Sequence, residues 1–415
     1  MAQNAAAAAD GTFPAPTGSH QVGRLALDLI DEQRRDPYAR REAKRRLGVW
    51  VWYPADPPRG ASPARYLPGW WRVLGPVWGF RPSRVRVRAV EGAPIAAAGG
   101  PFPILVFSPS GNPPHFYTAL FEEIASQGYV VAGIAHTYET IPITALPGGG
   151  VRLLNPNSLA GAFSVPGKRL YAEDLRERTG LIDIKAADIR FVLGELAGLN
   201  DEHRIFAGQL DVTGVGAFGH SFGGAAASEA CRLDQRLRAG ASIDGGLWKA
   251  PEDVAASGPF LQLFGEHPEY VIPCAEAVNA KYFATEEYCE ADRRTTIGAW
   301  QALHERAQPG RSVLVLGAGH GELHRLAPAA ALACLPGAPR PRHAGPWGRL
   351  EGGERLSARL LRRAHSRTTG PAAGGRERRR PRQNRRSGRA LRLGQPAATR
   401  APRRTRPSRG RAGSR

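Results

Sequence analysis

A serine with a glycine two residues before it and another two residues after it is the first candidate for chemistry. Residues 217–224 read AFGHSFGG, in which Ser221 lies between Gly219 and Gly223. An apolar run precedes this segment and small residues follow it, so the pattern predicts a strand, a sharp turn and a helix, the setting of a nucleophilic serine. Glycines let neighbouring backbone approach closely in such a strained turn. We predict that Ser221 is a nucleophile; the alternative is a polar residue in an ordinary turn.

A serine hydroxyl becomes a good nucleophile when a histidine takes its proton and a carboxylate orients that histidine. His320, which ends the segment SVLVLGAGH, is the predicted base. His220 is expected to point away from the serine hydroxyl, His304 lies in a helical pattern, and His267 follows an earlier strand. In this type of site the partners follow the serine in the order acid, then histidine.

Two carboxylates could orient the histidine. Asp244 ends the run AGASID, and Glu266 follows FLQLFG one strand later. Asp244 could instead be a turn former before two glycines, and Glu266 a surface carboxylate. The residues alone leave both candidates open.

Negative charge on a substrate carbonyl oxygen needs two preset N–H donors. The residue after the serine, Phe222, is the first predicted donor. The second is expected in the loop FSPSGNPPHFY, where prolines have no N–H to give, which leaves Gly111 or Asn112. The alternative is an ordinary loop rich in Pro and Gly.

These residues need a scaffold that brings them together. Between residues 13 and 320, apolar runs alternate with amphipathic segments, the pattern of a mostly parallel sheet covered by helices. The predicted strands cover residues 48–54, 103–109, 129–136, 212–219, 239–244, 260–265 and 312–319, and the predicted helices 117–128, 183–199, 223–234 and 297–307. Residues 1–12 are expected to be flexible, and residues 58–101 and 140–180 to be insertions that carry binding surfaces.

Charge is distributed unevenly along the chain. The 415 residues carry a formal net charge of +20. Residues 321–415 contain 25 Arg and 4 Glu, a net of +21, so residues 1–320 hold 32 basic and 33 acidic groups, a net of −1. We therefore expect no nucleic-acid partner for the body of the protein. Only the low-complexity, Arg-rich tail would favour nucleic acid or an anionic surface.

The four cysteines form neither a disulfide framework nor a zinc pattern. Cys274 and Cys289 could pair in an exported protein; otherwise they are two buried thiols. The N-terminal residues MAQNAAAAADG lack the basic and strongly apolar regions of a signal peptide, and no apolar run reaches the roughly 18 residues of a membrane helix. As written, the chain predicts a cytoplasmic location, with secretion if its true start lies upstream.

Residues 13–320 resemble the platelet-activating factor acetylhydrolase family of the α/β-hydrolases. The resemblance rests on FPAPTGSHQVG, VWVWYPA, the FSPSG loop, TALFEEIASQGYVVAGIAH, GHSFGG, SIDGGLW and GAGH. It implies an α/β-hydrolase fold, with Ser221 as nucleophile, Asp244 as acid, His320 as base, and Phe222 and Gly111 as oxyanion donors. It also implies calcium-independent hydrolysis of short or oxidised acyl esters, such as those at the sn-2 position of phospholipids, through an acyl-serine intermediate. No metal or organic cofactor is implied.

The implied partners are a lipid ester substrate and, transiently, a lipid surface. A polyester or triglyceride hydrolase of the same fold is the alternative enzyme. A nucleic-acid or anionic-surface binding protein that acts through the basic tail is the alternative outside enzymes. The aromatic residues of the first insertion could form an acyl pocket or a lipid-facing surface, with ordinary packing as the simpler interpretation: Trp70, Trp71, Trp78 and Phe80.

The chain departs from the family after His320. Relatives continue with a small residue, Phe, a variable residue and Asp, whereas this chain continues GELHRLAPAAA. One extra G after the third codon of GGC CAC GGG AGC TTC ACC GAC TGG would convert a family-like Gly-His-Gly-Ser-Phe-Thr-Asp-Trp into the residues at 319–326. We hypothesise that residues from about 322 onward are translated out of frame; the alternative is a selected Arg-rich disordered tail.

Overall fold

The structure, a computed structural model, describes residues 13–67, 69, 85–159 and 170–320. All of these lie within the first of the two units into which the chain divides, Met1–Thr369. The predicted flexible N-terminus (1–12), the aromatic residues of the first insertion and the Arg-rich tail (321–415) lie outside the described residues.

The described residues form a ten-stranded main sheet and a separate two-stranded hairpin. The strands of the main sheet are β1 (Gln21–Arg35), β2 (Lys44–Ala55), β3 (Pro63–Arg65), β4 (Arg86–Glu91), β5 (Phe102–Ser108), β6 (Val130–Ala135), β9 (Leu210–His220), β10 (Leu237–Ile243), β11 (Phe260–Phe264) and β12 (Gly310–Leu314). The hairpin consists of β7 (Ile143–Ala145) and β8 (Val151–Leu153), which pair in antiparallel fashion.

The order of strands across the main sheet is β12-β11-β10-β9-β5-β6-β2-β1-β4-β3. The strands from β12 to β6 are parallel, and β2 joins β6 in antiparallel fashion. Because β5 lies between β6 and β9, the chain changes its direction of travel across the sheet there. Ligands bind at such a switch point, outside the carboxyl ends of the strands.

Helices cover both faces of the sheet. They are α1 (Thr118–Ser126), α2 (Tyr171–Glu202), α3 (Phe222–Leu233), α4 (Cys274–Asn279) and α5 (Glu286–Arg306). Consecutive residues of β2 pack against helices on opposite faces of the sheet. Val51 belongs to the same apolar cluster as Ile189 of α2, whereas Trp52 belongs to the cluster of Phe121 in α1. A strand whose residues are buried on both faces needs this double cover. No described helix is both long and apolar enough to cross a membrane.

The predicted fold class, a mostly parallel sheet with helices on both faces, is confirmed. The strand β1 was not predicted, because its second half reads DLIDEQRR and lacks an apolar and polar alternation. It pairs with β2 along nearly its whole length, so tertiary pairing outweighs a weak local pattern. Within residues 58–101 the structure places β3 and β4 at the edge of the main sheet, and within residues 140–180 it places the hairpin and the first turns of α2.

The cysteine alternatives left open by the sequence have a structural answer. Cys274 at the start of α4 and Cys289 in α5 form a disulfide, and the described cysteine outside it, Cys231, is buried. The bridge fastens α4 to α5, the helix that packs beside the candidate site.

Candidate active site

The sharp turn between β9 and α3 carries Ser221. Its φ of 57° and ψ of −123° lie in a region that non-glycine residues seldom occupy. A Cβ atom at Gly219 would lie 2.2 Å from the Gly223 carbonyl oxygen, and one at Gly223 would lie 1.8 Å from the Ser108 carbonyl oxygen. Only glycine fits at either position, so the two glycines that drew attention in the sequence are required by backbone packing.

The structure brings Ser221, His320 and Asp244 into one chain of hydrogen bonds. His320 Nε2 lies 3.1 Å from Ser221 Oγ, and His320 Nδ1 lies 2.7 Å from Asp244 Oδ2. A carboxylate only accepts, so the bond to Asp244 keeps the hydrogen on Nδ1 and leaves Nε2 to accept the serine proton. The His320 side chain is 49% exposed, whereas that of Asp244 is fully buried.

Of the two candidate carboxylates, Asp244 is the one in contact with His320. It follows β10 with a φ of 57°, and its backbone N–H donates to the Leu263 carbonyl oxygen over 2.7 Å. The Glu266 residue is exposed, and its backbone N–H donates to the Ala318 carbonyl oxygen. That bond ties the loop after β11 to the loop that carries His320.

A second histidine also contacts Asp244. His267 Nε2 lies 2.9 Å from Asp244 Oδ1, and the Gly265 backbone N–H donates to the same oxygen over 2.8 Å. Burial opposes ionisation of Asp244, but the hydrogen bonds from His267 and His320 outweigh it and lower the pKa of this carboxyl. In the sequence, His267 was weighed only as a base. Its place just after β11 is the signal that could have indicated a contact with Asp244, because the carboxyl ends of neighbouring parallel strands meet at one edge of a sheet.

His220, beside the serine in sequence, does support the site although it was set aside as a base. Its ring stacks on that of His320, with 4.9 Å between centroids. Its Nε2 lies 3.1 Å from the His320 carbonyl oxygen, and its Nδ1 lies 2.9 Å from the Tyr117 hydroxyl. His220 therefore holds the backbone that carries the candidate base. His304 contacts the Ser312 hydroxyl instead.

The two predicted oxyanion donors lie at the start of α3 and in the loop after β5. Phe222 begins α3, so its backbone N–H has no acceptor within the helix. Gly111 is buried in the loop after β5, where its carbonyl oxygen accepts from the Ile141 N–H over 2.7 Å. The loop starts beside the turn, since the Pro109 carbonyl oxygen is 2.9 Å from the position of a Gly223 Cβ atom. The donor role of Gly111 stays a prediction.

A buried amine lies behind this loop. Lys185 Nζ is 3.1 Å from the Ser110 carbonyl oxygen and 3.4 Å from that of Pro109. With those carbonyl oxygens turned toward Lys185, the loop has a fixed orientation. This contact could not be predicted from a local pattern, because Lys185 lies in the middle of a helix 75 residues away from Ser110.

A second Ser-His-Asp chain lies below the loop. His136 Nε2 is 2.9 Å from Ser108 Oγ, and its Nδ1 is 2.8 Å from Asp188 Oδ2. All three residues are buried, with at most 1% of their surface exposed. A substrate cannot reach Ser108, so we interpret this chain as a support for the end of β5. Burial lowers the pKa of His136 despite its carboxylate neighbours.

Three residues of this region could in principle reach one metal ion: His136, Glu139 and Asp188. Their carboxylates, however, are already paired with buried cations. Arg45 Nη2 lies 2.6 Å from Asp188 Oδ2, and Lys185 Nζ lies 2.8 Å from Glu139 Oε2. The positive charges of Arg45 and Lys185 already balance these two carboxylates, which leaves no excess negative charge for a divalent cation. We interpret the cluster as an ion-pair network.

Comparison with known proteins gives two curated relatives. The chain is 28% identical over 278 residues to a protein of Arthroderma benhamiae named probable 1-alkyl-2-acetylglycerophosphocholine esterase, and the match covers 60% of this chain and 64% of the relative. It is 29% identical over 196 residues to the platelet-activating factor acetylhydrolase of Cavia porcellus, covering 45% of this chain and 44% of the relative. The matches thus span less than two thirds of either relative. No protein-family model matches the chain.

A solved structure, the ferulic acid esterase of Streptomyces cinnamoneus, is similar over 86% of this chain and 91% of that chain, with a TM-score of 0.56 and 26% identity. The chain has the α/β-hydrolase fold. Its similarity to platelet-activating factor acetylhydrolases, indicated by the motifs, is also confirmed by the two curated relatives. In this fold the strand order places Ser221, Asp244 and His320 after β9, β10 and β12, at the carboxyl edge of the parallel strands.

Proposed function

We propose that the protein is a serine carboxylester hydrolase in which Ser221 is the nucleophile, His320 the general base and Asp244 the acid. The observation that carries the proposal is the continuous hydrogen-bond chain from the Ser221 hydroxyl through His320 to the buried Asp244 carboxylate. The position of the serine at a strained strand-to-helix turn supports it, because that turn presents the hydroxyl outside the sheet.

The geometry supports a two-step reaction. His320 Nε2 takes the Ser221 proton as Oγ bonds to the ester carbonyl carbon, and the oxyanion accepts hydrogen bonds from the backbone N–H groups of Phe222 and Gly111. His320 then gives the proton to the leaving alcohol oxygen as the C–O bond breaks, which leaves an acyl-serine. Water attacks this ester with loss of a proton to His320, and the carboxylic acid leaves as Ser221 regains its proton.

This reaction needs no metal or organic cofactor. The proton transfers are made by His320, and the charge of its imidazolium form is stabilised by Asp244, whose pKa is lowered by its histidine partners. Calcium-independent activity of the acetylhydrolase or phospholipase A2 type is part of the proposal.

For the substrate we propose an ester with a short or oxidised acyl chain, of the 1-alkyl-2-acetylglycerophosphocholine type, met transiently at a lipid surface. The names of the two curated relatives support this choice. A second candidate is a small-ester hydrolase acting on soluble substrates, which the similarity to a ferulic acid esterase favours.

Labelling with a fluorophosphonate probe tests the chemistry. The native chain should be labelled on the peptide that contains Ser221, and the Ser221→Ala variant should not be labelled. Ser108 is the internal control, because its buried hydroxyl should carry no label even though it has a histidine and an aspartate beside it. A folded native protein that takes up no probe would contradict the proposal.

A substrate comparison separates the two candidates. The kcat/KM for release of acetate from 1-alkyl-2-acetylglycerophosphocholine should exceed the kcat/KM for hydrolysis of methyl ferulate and of p-nitrophenyl acetate. The reverse order, with Ser221 still labelled, would leave the hydrolase in place and favour the second candidate.

A further inference from the structure

His267 lies between two carboxylates. Its Nε2 is 2.9 Å from Asp244 Oδ1, and its Nδ1 is 2.7 Å from Glu269 Oε1. A carboxylate oxygen accepts, so both ring nitrogens must donate, and only the protonated imidazolium has two N–H groups. The hydrogen-bond chain that starts at Ser221 therefore continues beyond Asp244 to a cation and a second anion.

We propose that His267 is a positioning residue for the triad, a fixed cation that holds the Asp244 carboxylate and keeps His320 unprotonated at rest. This inference rests on the proposed function, in which His320 is the base. Each oxygen of Asp244 then has one imidazole: Oδ1 faces His267 and Oδ2 faces His320. The carboxylate cannot rotate without losing one of the two bonds.

The charge balance around Asp244 explains why a second histidine matters. A buried carboxylate with one histidine partner favours the protonated form of that partner, and a protonated His320 cannot take a proton from Ser221. His267 supplies a positive charge at neutral pH on the other side of the carboxylate. The ring centroids of His267 and His320 are 6.4 Å apart, so a positive charge on His267 repels a second positive charge on His320.

Several elements hold His267 in its charged state and in place. Burial opposes the charge, but the hydrogen bonds that His267 donates to Asp244 and Glu269 prevail and raise the pKa of His267 to about 10. The groups that face it are Asp244 after β10, Glu269 in its own turn and His320 after β12, with Tyr270 and Trp300 as ring neighbours.

Helix α5 fixes the turn from the other side. The guanidinium of Arg293 donates to the Glu269 carbonyl oxygen, and the Tyr270 hydroxyl donates to Asp292 Oδ2 over 2.9 Å. Asp292 and Arg293 are thus the charged groups of α5 nearest the His267 turn. The Cys274–Cys289 disulfide anchors the same helix. These contacts hold His267 and Glu269 in place. The hydrogen-bond chain from Ser221 therefore continues from Asp244 to His267 and from His267 to Glu269.

The test is the pH profile of kcat/KM with a short p-nitrophenyl ester, using the full-length protein. His267→Gln keeps an N–H donor for Asp244 but loses the charge, so the acidic limb should move to higher pH by roughly one unit. His267→Arg restores a cation and should move the limb back toward its native position. His304→Gln is the matched control: the His304 ring contacts the Ser312 hydroxyl and not Asp244, so the limb should stay unchanged.

An acidic limb at the same pH in native protein and in folded His267→Gln would overturn the inference. Failure of the native protein to take up fluorophosphonate would instead overturn the proposed function, so the two failures are distinguishable. If His267→Gln does not fold, imidazole nitrogen NMR of the native protein decides. We expect one histidine to be protonated on both nitrogens at pH 8, and its signal to change in the Glu269→Gln variant. Absence of any such histidine would refute the fixed cation.

Discussion

The Lys185 ammonium lies 2.8 Å from Glu139 Oε2, and both side chains are fully buried. This pair connects α2 with the loop after β6, and the same amine contacts the carbonyl oxygens of Pro109 and Ser110. The orientation of the predicted oxyanion loop therefore depends on an ion pair that a substrate never touches. Burial disfavours the charged amine and lowers the pKa of Lys185, although Glu139 acts in the opposite direction.

Replacing Lys185 by Met should destabilise the protein by about 3 to 5 kcal/mol, because the Glu139 charge loses a partner in a buried site. Urea unfolding measures the change. Lys249→Met is the matched control: its partner Asp183 is exposed, and its buried partner Glu229 keeps an ion pair with Arg232, so its loss should cost about 1 kcal/mol or less. Adding Glu139→Gln to Lys185→Met should recover part of the loss, and no recovery would contradict the pairing argument.

The choice between the two carboxylates can be tested directly. Asp244→Asn should lower kcat by about three to four orders of magnitude, because an amide can donate to His320 Nδ1 and favour the wrong tautomer. Glu266→Gln should leave kcat within about twofold, since that side chain is exposed. Equal losses in the two variants would show that Glu266 has a role the described contacts do not reveal.

Gly223→Ala should abolish activity and destabilise the protein by more than about 2 kcal/mol. The added Cβ atom would lie 1.8 Å from the Ser108 carbonyl oxygen, so β5 or the start of α3 must move. Gly194→Ala in α2 is the control, because no atom beyond its own turns of helix lies within 4 Å of its Cβ position. Alanine there should stabilise the helix by roughly 0.5 to 1 kcal/mol. Thermal unfolding of both variants, with activity assays, gives the comparison.

Ser221 and His320 could be singled out because each follows an apolar strand pattern, and the fold brings the carboxyl ends of those strands together. The same pattern offered both Asp244 and Glu266 as the acid, and only the family resemblance favoured Asp244. The turn at Ser221 is the clearest local signal, since Gly219 and Gly223 are required by contacts within a few residues. His267 was missed because its partner Asp244 lies 23 residues away, and only the pairing of β10 with β11 brings them together.

The buried ion-pair network also could not be predicted, because its partners are far apart in the sequence. Arg45 and Asp188 are 143 residues apart in sequence, yet their side chains pair in the interior. A lysine or arginine in a helix or strand pattern is usually a solvated residue, so composition and periodicity give no reason to expect it inside. Burial of charge becomes visible only when the partners are placed.

The His267 charge gives a signed prediction for stability against pH. The pKa of His267 is raised in the folded protein to about 10, above the unfolded value near 6.5. Its contribution to the free energy of unfolding is therefore complete below about pH 6.5 and is lost as the pH rises toward 10. Between pH 7 and 9.5 the native protein should lose stability relative to His267→Gln by up to about 1.4 kcal/mol per pH unit. Urea unfolding of both proteins at several pH values measures this difference. Because both proteins contain Lys185 and the same tyrosines, the titration of those groups cancels in the comparison. A difference that stays constant with pH would mean that His267 is neutral in the folded protein, which would contradict the assignment of His267 as a cation.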